Sequence, residues 1–189
     1  MRKLSVFNFV TLDGYFEGPK KGEYAWHKHE QTTEETEYAK DKLQYDSILL
    51  FGRVTYDQMA SFWPTENAIK MFPDVANGMN SAEKIVFSNS LKHADWDNTK
   101  IIKGDIAKEI KKLKSTAGKD MTILGSGSIV TQFAENDLID EFQFMVDPVS
   151  IGNGTSIFRG VRRQLNFELV STRSFKDGVV ILTYKPKHN

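Results

Sequence analysis

Apolar and polar residues follow two periods along the chain, and the switch between them marks out its elements. Residues 4–10 (Leu-Ser-Val-Phe-Asn-Phe-Val) are apolar almost throughout, the pattern of a strand covered on both faces. Short runs of the same kind at 47–51, 84–87, 99–102, 121–124 and 141–146 predict further strands. Between them the period lengthens. A helix is expected at 53–62, stopped near Trp63-Pro64. Another at 106–113 sets Ile106, Ile110 and Leu113 on one face, and a third at 128–135 turns Ile129, Val130 and Phe133 inward. Thr32 or Thr33 is suited to cap a helix running to about Leu43, with Glu34, Glu35 and Glu37 favourably placed near its positive end. Two alternating runs, 167–175 and 179–184, flank Asp177-Gly178 as a hairpin. Residues 65–83, with Pro73, Asn77 and Gly78, read as an irregular surface insertion. The stretch from the Leu12-Asp13-Gly14-Tyr15 turn to about Gln31 reads as loop. Strands alternating with helices and closing on a hairpin predict a single α/β domain, its sheet mostly parallel with an antiparallel edge.

Three predicted strands end in residues that suit phosphate. Residues 47–51 run into Gly52-Arg53-Val54-Thr55-Tyr56, 84–87 into Ser88-Asn89-Ser90, and 121–124 into Gly125-Ser126-Gly127-Ser128. A glycine or serine where a strand hands over to a helix leaves backbone N–H groups aimed beyond the sheet edge, where the helix dipole also favours an anion. Open α/β sheets bind their ligands there. Three such junctions suggest an extended ligand with several phosphates, a dinucleotide. The glycine spacing is not the Rossmann fingerprint, because Val130 stands where its third glycine would be.

Composition narrows the chemistry. Lys+Arg and Asp+Glu balance at 25 each, so no general field favours nucleic acid or an anionic membrane. The absence of cysteine excludes disulfides, thiolate-held zinc, iron–sulfur clusters and thiol nucleophiles. The first apolar run, broken by Ser5 and Asn8, is too short and mixed for a signal peptide or spanning helix. A soluble cytoplasmic protein is the default expectation.

Taken in order, Thr11-Leu12-Asp13-Gly14-Tyr15, Leu50-Phe51-Gly52-Arg53-Val54-Thr55-Tyr56, Phe62-Trp63-Pro64, Lys84-Ile85-Val86-Phe87-Ser88, Ile102-Lys103-Gly104-Asp105, Leu124-Gly125-Ser126-Gly127-Ser128 and Leu138-Ile139-Asp140-Glu141 resemble the dihydrofolate reductase-like superfamily. Within it the chain is most similar to stand-alone bacterial proteins related to the C-terminal reductase domain of the riboflavin-biosynthesis deaminase/reductase. The resemblance implies an NADPH-dependent reductase acting on a heteroaromatic or ribosylamino-pyrimidine type of small molecule. It implies cofactor contacts from Gly52, Arg53 and Thr55, with Arg53 on the 2′-phosphate. Ser88, helped by Ser90, falls at the adenosine end, and Gly125, Ser126, Gly127 and Ser128 at the pyrophosphate. Asp13 and Gly14 match the loop that covers nicotinamide and substrate. A homodimer formed through the late strands is expected by analogy. Two positions depart from the pattern: Thr36 stands near the place of the folate-anchoring acid, and Leu124 replaces a glutamate common before the glycine turn.

Each candidate also has a plainer reading. The Gly125–Ser128 segment could be only a tight turn with a serine N-cap. Arg53 could be a solvated side chain, although a cation in a first helical turn is repelled unless an anion lies there. Asp13 could make an Asx-type turn, or could bind substrate or position a water for proton delivery, a catalytic role also open to Glu35 or Glu37. Trp26 reads as a substrate contact and Trp63 as packing. His27 and His29 lack a third ligand of clear spacing, so no metal site is expected. Gly152-Asn153-Gly154 reads as a turn, and Lys111, Lys112 and Lys114 as an exposed helix face. The competing function is a non-catalytic nucleotide-binding or sensing protein of the same fold. A third class is a small-molecule-binding protein that takes no dinucleotide.

Overall fold

In the computed structural model the first apolar run becomes β1 (Leu4–Thr11), inside an eight-stranded sheet. The structure describes residues 1–27, 38 and 47–187. The other strands are β2 (Tyr15–Glu17), β3 (Ile48–Gly52), β4 (Lys84–Phe87), β5 (Thr99–Ile102), β6 (Met121–Leu124), β7 (Glu141–Asp147), β8 (Thr155–Ser156), β9 (Phe167–Ser174) and β10 (Val180–Pro186). The described helices are α1 (Arg53–Phe62), α2 (Glu66–Met71), α3 (Pro73–Ser81), α4 (Ile106–Ser115) and α5 (Gly127–Glu135). The large sheet runs β5-β4-β3-β6-β1-β7-β10-β9, while β2 and β8 pair separately. Strands β5 through β7 in that order are parallel, and β10 is antiparallel to both β7 and β9. The expected parallel sheet with a hairpin edge is therefore present. Every residue of β3 and β4 is buried, as continuous apolar runs in a doubly covered sheet require.

Side-chain alternation along β1 divides the core. Leu4, Val6 and Val10 join Ile110, Ile123, Ile129, Val130 and Phe133 on one face of the sheet. Phe7 and Phe9 point the other way, against Tyr38, Met145, Phe175 and Ile181. Further along that second face, Phe51, Tyr56, Met79, Val86 and Trp96 form a cluster of their own.

The expected irregular insertion at 65–83 is instead the pair α2 and α3. Thr65 caps α2 by accepting the Ala68 N–H at 3.2 Å, and Pro73 occupies the first turn of α3, where its missing N–H costs nothing. Ala68, Ala76 and Met79 are buried, so the segment is part of the core. Lys84 sits beneath it, 1% exposed, donating to the carbonyls of Met79, Asn80 and Ala82 at 2.9, 3.0 and 2.7 Å. These are the carbonyls left over at a helix C-terminus. The Lys84 ammonium also lies 4.5 Å from the centre of the Trp96 ring. Lys114 departs from the exposed face expected of it, since its ammonium binds the Leu138 carbonyl and the Asp140 carboxylate. The β2–β8 pair falls where the sequence reads as loop. The expected helix over 32–43 lies outside the described residues. Among the described residues no helix is long and apolar enough to cross a membrane.

Candidate functional site

A cleft of about 520 Å³ opens at the C-terminal ends of β4, β3 and β6, on the face of the sheet covered by α4 and α5. The first turns of α1 and α5 both face it, through Arg53, Val54 and Thr55 and through Gly127, Ser128 and Ile129. The opening N–H groups of a helix have no partner within that helix. Helices α2, α3 and α4 carry Glu66, Asp74 and Glu109 in their first turns, which answer the dipole; α1 and α5 carry no acid there. Lys21, Arg53 and Arg159 add three cations to the lining, against a single carboxylate, Glu17. Such a wall attracts an anion.

The turn into α5 is built around Gly125 and Ser126, both at positive φ, 61° and 63°. A side chain at Gly127 would place its Cβ 3.0 Å from the Phe16 ring, so any larger residue there needs that ring to shift. Ser126 differs from the serine N-cap expected of this turn. It occupies the N-cap position of α5 but makes no capping bond; its hydroxyl accepts the buried Gly52 N–H at 2.8 Å and lies 3.3 Å from the Leu124 carbonyl. The bond ties the β3–α1 turn to the β6–α5 turn, so that two anion-facing helix ends share one wall. Thr55, 6% exposed, backs this joint against Gly125. Arg53 Nε donates to Asp57 at 2.6 Å, one turn along α1, which fixes the guanidinium at the cleft.

At the β4 end, Ser88 lines the cleft while its hydroxyl accepts the Leu91 N–H at 3.1 Å. Ser90 lies 3.4 Å from the Ser88 hydroxyl but outside the lining. The segment before residue 27 reaches the cleft through Lys21 and Tyr24 and is held to α1 where Gln58 Nε2 donates to the Gly22 carbonyl at 2.7 Å. Tyr24 lines the cleft there; burial, reinforced by the Glu17 carboxylate, pushes its phenol up to about 12.

Asp13, Gly14 and Trp26 are outside this cleft. The Asp13 carboxylate accepts from the Thr11 hydroxyl at 2.6 Å, the Ser150 hydroxyl at 2.8 Å, Gly152 N–H at 2.7 Å and Ile151 N–H at 3.1 Å. The Thr11 hydroxyl, with the other three donors, holds it well below the usual carboxylate range. It stitches the β1–β2 turn to the loop after β7. In this geometry the Asp13 carboxylate serves as the acceptor of an Asx-type turn and of the loop after β7. Gly152–Gly154 is a turn, as expected, and a Cβ at Gly154 would meet the Glu17 carbonyl at 2.3 Å. Trp63 packs between Phe62 and Phe72, also as expected. Glu35, Glu37 and His29 lie outside the described residues.

A second polar group on the opposite face of β1 was not legible as such. The His27 ring lies on Phe9 at 4.1 Å, and its Nδ1–H donates to Asp147 Oδ2 at 2.7 Å. A carboxylate partner of this kind sets the imidazole's tautomer. Asp147 is 3% exposed, and its Oδ1 and the Trp26 indole N–H have no hydrogen-bond partner among the described residues. The available signal was a carboxylate, Asp147, following the apolar run Phe144-Met145-Val146 at the end of β7.

The chain is similar to known proteins along nearly its whole length. It is 33% identical to the uncharacterized protein YyaP of Bacillus subtilis (strain 168) over 97% of this chain and 94% of that one. A crystal structure from Shewanella sp. PV-4, of a protein named for riboflavin biosynthesis, matches with a TM-score of 0.76 at 24% identity, covering 98% of this chain and 99% of the other. Dihydrofolate reductase from Enterococcus faecalis, complexed with NADP(H), matches with a TM-score of 0.67 at 15% identity over 98% and 97% of the two chains. The fold is thus dihydrofolate reductase-like. The family model described as the RibD C-terminal domain matches residues 2–181, and the chain belongs to that family.

Proposed function

We propose that this protein is an NADPH-dependent reductase that passes a hydride to a small heteroaromatic or ribosylamino-pyrimidine type of substrate. The observation that carries the reading is the single cleft joining two acid-free helix N-termini with Lys21, Arg53 and Arg159. Bound NADPH supplies the hydride; the chain binds, orients and excludes water. Gly127, Ser128 and the α5 dipole hold the pyrophosphate, and Arg53 with Ser88 holds the phosphorylated adenosine end. The substrate is held beside β1, with Trp26 next to it. Proton delivery belongs to Glu35 or Glu37, and Asp13 acts as a positioning residue. The free edge of β9, with Leu169 and Val170 exposed, is the proposed homodimer contact.

Titration of NADPH and NADH onto wild type and Arg53→Ala tests the cofactor. The expected outcome is a preference for NADPH that the mutant loses by more than about 1.5 kcal/mol, the worth of a charged hydrogen bond, with NADH affinity unchanged. Failure to bind either nucleotide ends the reductase reading. The engaged carboxylate of Asp13 favours one alternative, a nucleotide-binding protein without turnover. Tight NADPH binding with no oxidation by pterin, flavin-precursor or quinone-like acceptors identifies that case.

A further inference from the structure

We propose that Asp147 and Trp26 together select a substrate whose flat ring carries an N–H beside a carbonyl or ring nitrogen, an inference that rests on the reductase reading above and narrows its substrate class. Asp147 is 3% exposed, and its Oδ1 has no hydrogen-bond partner among the described residues. The buried indole N–H of Trp26 has none either. One atom is an acceptor and the other a donor. Each costs free energy while unpaired, and folded proteins rarely keep two such groups together without a use. The His27 ring joins them. It bonds Asp147 Oδ2 through Nδ1 at 2.7 Å and lies 5.9 Å, centre to centre, from the Trp26 ring.

Their place in the fold supplies the use. Asp147 closes β7 level with Thr11, the last residue of β1, so its carboxylate stands at the same edge of the sheet as the cleft. The cleft turns over that edge. Gln58 of α1 lines it, while Tyr56 of the same helix packs with Phe51 on the sheet face that also carries Phe9. Tyr24, another lining residue, stacks on Trp26 with ring centres 6.0 Å apart, so the pair adjoins the cleft. His27 lies against Phe9 with ring centres 4.1 Å apart, aromatic surroundings suited to a planar ring. With Oδ2 taken by His27, Oδ1 accepts an N–H, and the indole donates to the carbonyl or ring nitrogen beside it. A lactam or aminopyrimidine edge presents both groups. A quinone has no N–H to offer, and a fully N-alkylated ring has lost it. Trp26 is half-buried and the His27 side chain 21% exposed, so the ring enters by way of these two side chains. A buried water would also satisfy both atoms, and the test separates the two.

The experiment measures, by calorimetry, the affinity of wild type, Trp26→Phe and Asp147→Asn for three probes: 5,6-diaminouracil, its 1,3-dimethyl derivative, and NADPH. Trp26→Phe keeps an aromatic ring and removes the donor. In Asp147→Asn the amide oxygen goes to His27, which turns the NH2 group towards the N–H of the ring. Wild type is expected to bind the diaminouracil about 10-fold more tightly than the dimethyl derivative. Each variant should lose about 10-fold for the first, one hydrogen bond, and nothing for the second, so that the discrimination disappears. NADPH should bind all three proteins alike. The inference is overturned if wild type does not discriminate, if both uracils weaken equally, as the loss of a site for a structural water would cause, or if NADPH weakens with them. Should Asp147→Asn not fold, Trp26→Phe alone decides. Absence of NADPH binding to wild type overturns the reductase reading and this inference together, whereas NADPH binding without discrimination between the uracils overturns only the latter.

Discussion

Ser126 carries several jobs in one residue. It holds a left-handed backbone at φ 63°, which costs a residue with a Cβ more than it costs glycine, and its hydroxyl satisfies a buried N–H of Gly52. Ser126→Ala keeps the backbone cost and leaves that N–H unpaired, an expected loss of about 1–3 kcal/mol. Ser126→Gly relieves the backbone and admits water near Gly52, so it should be the milder change, although glycine is ordinarily the more flexible residue. Urea denaturation of the two variants checks the order, and equal losses would show that the hydroxyl contributes little. The position was legible as part of an anion-binding turn because strand, glycine and serine adjoin in sequence. The use of its hydroxyl was not, since its partner stands 74 residues away. The same holds for His27 and Asp147, 120 residues apart: neither has a local pattern that announces the other.

The elements that the sequence reveals best are those whose periodicity is uninterrupted. Strands β4, β5 and β6 and helix α1 fall at their expected boundaries. Helices α2 and α3 were hidden because their caps resemble loop residues: Thr65 and Pro73 start helices here, and Gly78 is buried inside one. Only packing on Trp63, Trp96 and Lys84 distinguishes them from an insertion. Lys84 gives this element a pH signature. Burial pushes its ammonium down to about 8, against a small opposing effect of the Asp97 carboxylate. Between that value and the ordinary lysine value near 10.4 the unfolded chain binds more protons than the folded one. The contribution of Lys84 to stability therefore rises as pH increases through this window, and below about pH 8 it is constant. Urea midpoints of wild type and Lys84→Met at pH 7, 9 and 10.5 are expected to shift in favour of wild type with rising pH. A difference independent of pH would mean that the ammonium keeps its ordinary affinity for protons.

For the molecule as a whole, the sheet separates two environments that meet at β1. The cleft with its cations lies on the α5 side, and Phe9, His27 and Asp147 lie on the other. The nearly continuous apolar run at 4–10 foretold that both faces of β1 are used, but the strand order, which sets the three junctions along one edge, arises from tertiary pairing and leaves no local trace. The β2–β8 pair closes the β1 end of this arrangement, with Phe16, Glu17, Thr155 and Ser156 in the cleft lining. Asp13 is what fastens it, through Ser150, Ile151 and Gly152. Because its folded pKa is depressed, this carboxylate stabilises the loops above about pH 4 and releases them only as acid protonates it, so it does not titrate between pH 5 and 8. Asp13→Asn keeps one acceptor oxygen and loses the rest. The expected outcome is weaker NADPH binding, by several-fold, with turnover at saturating NADPH and its pH dependence preserved, because the residue positions the cover of the cleft and transfers no proton. Steady-state kinetics over pH 5 to 8 decide it: a collapse of kcat at saturating cofactor, with binding intact, would return Asp13 to the chemical step and make the β1–β2 turn part of the reacting centre.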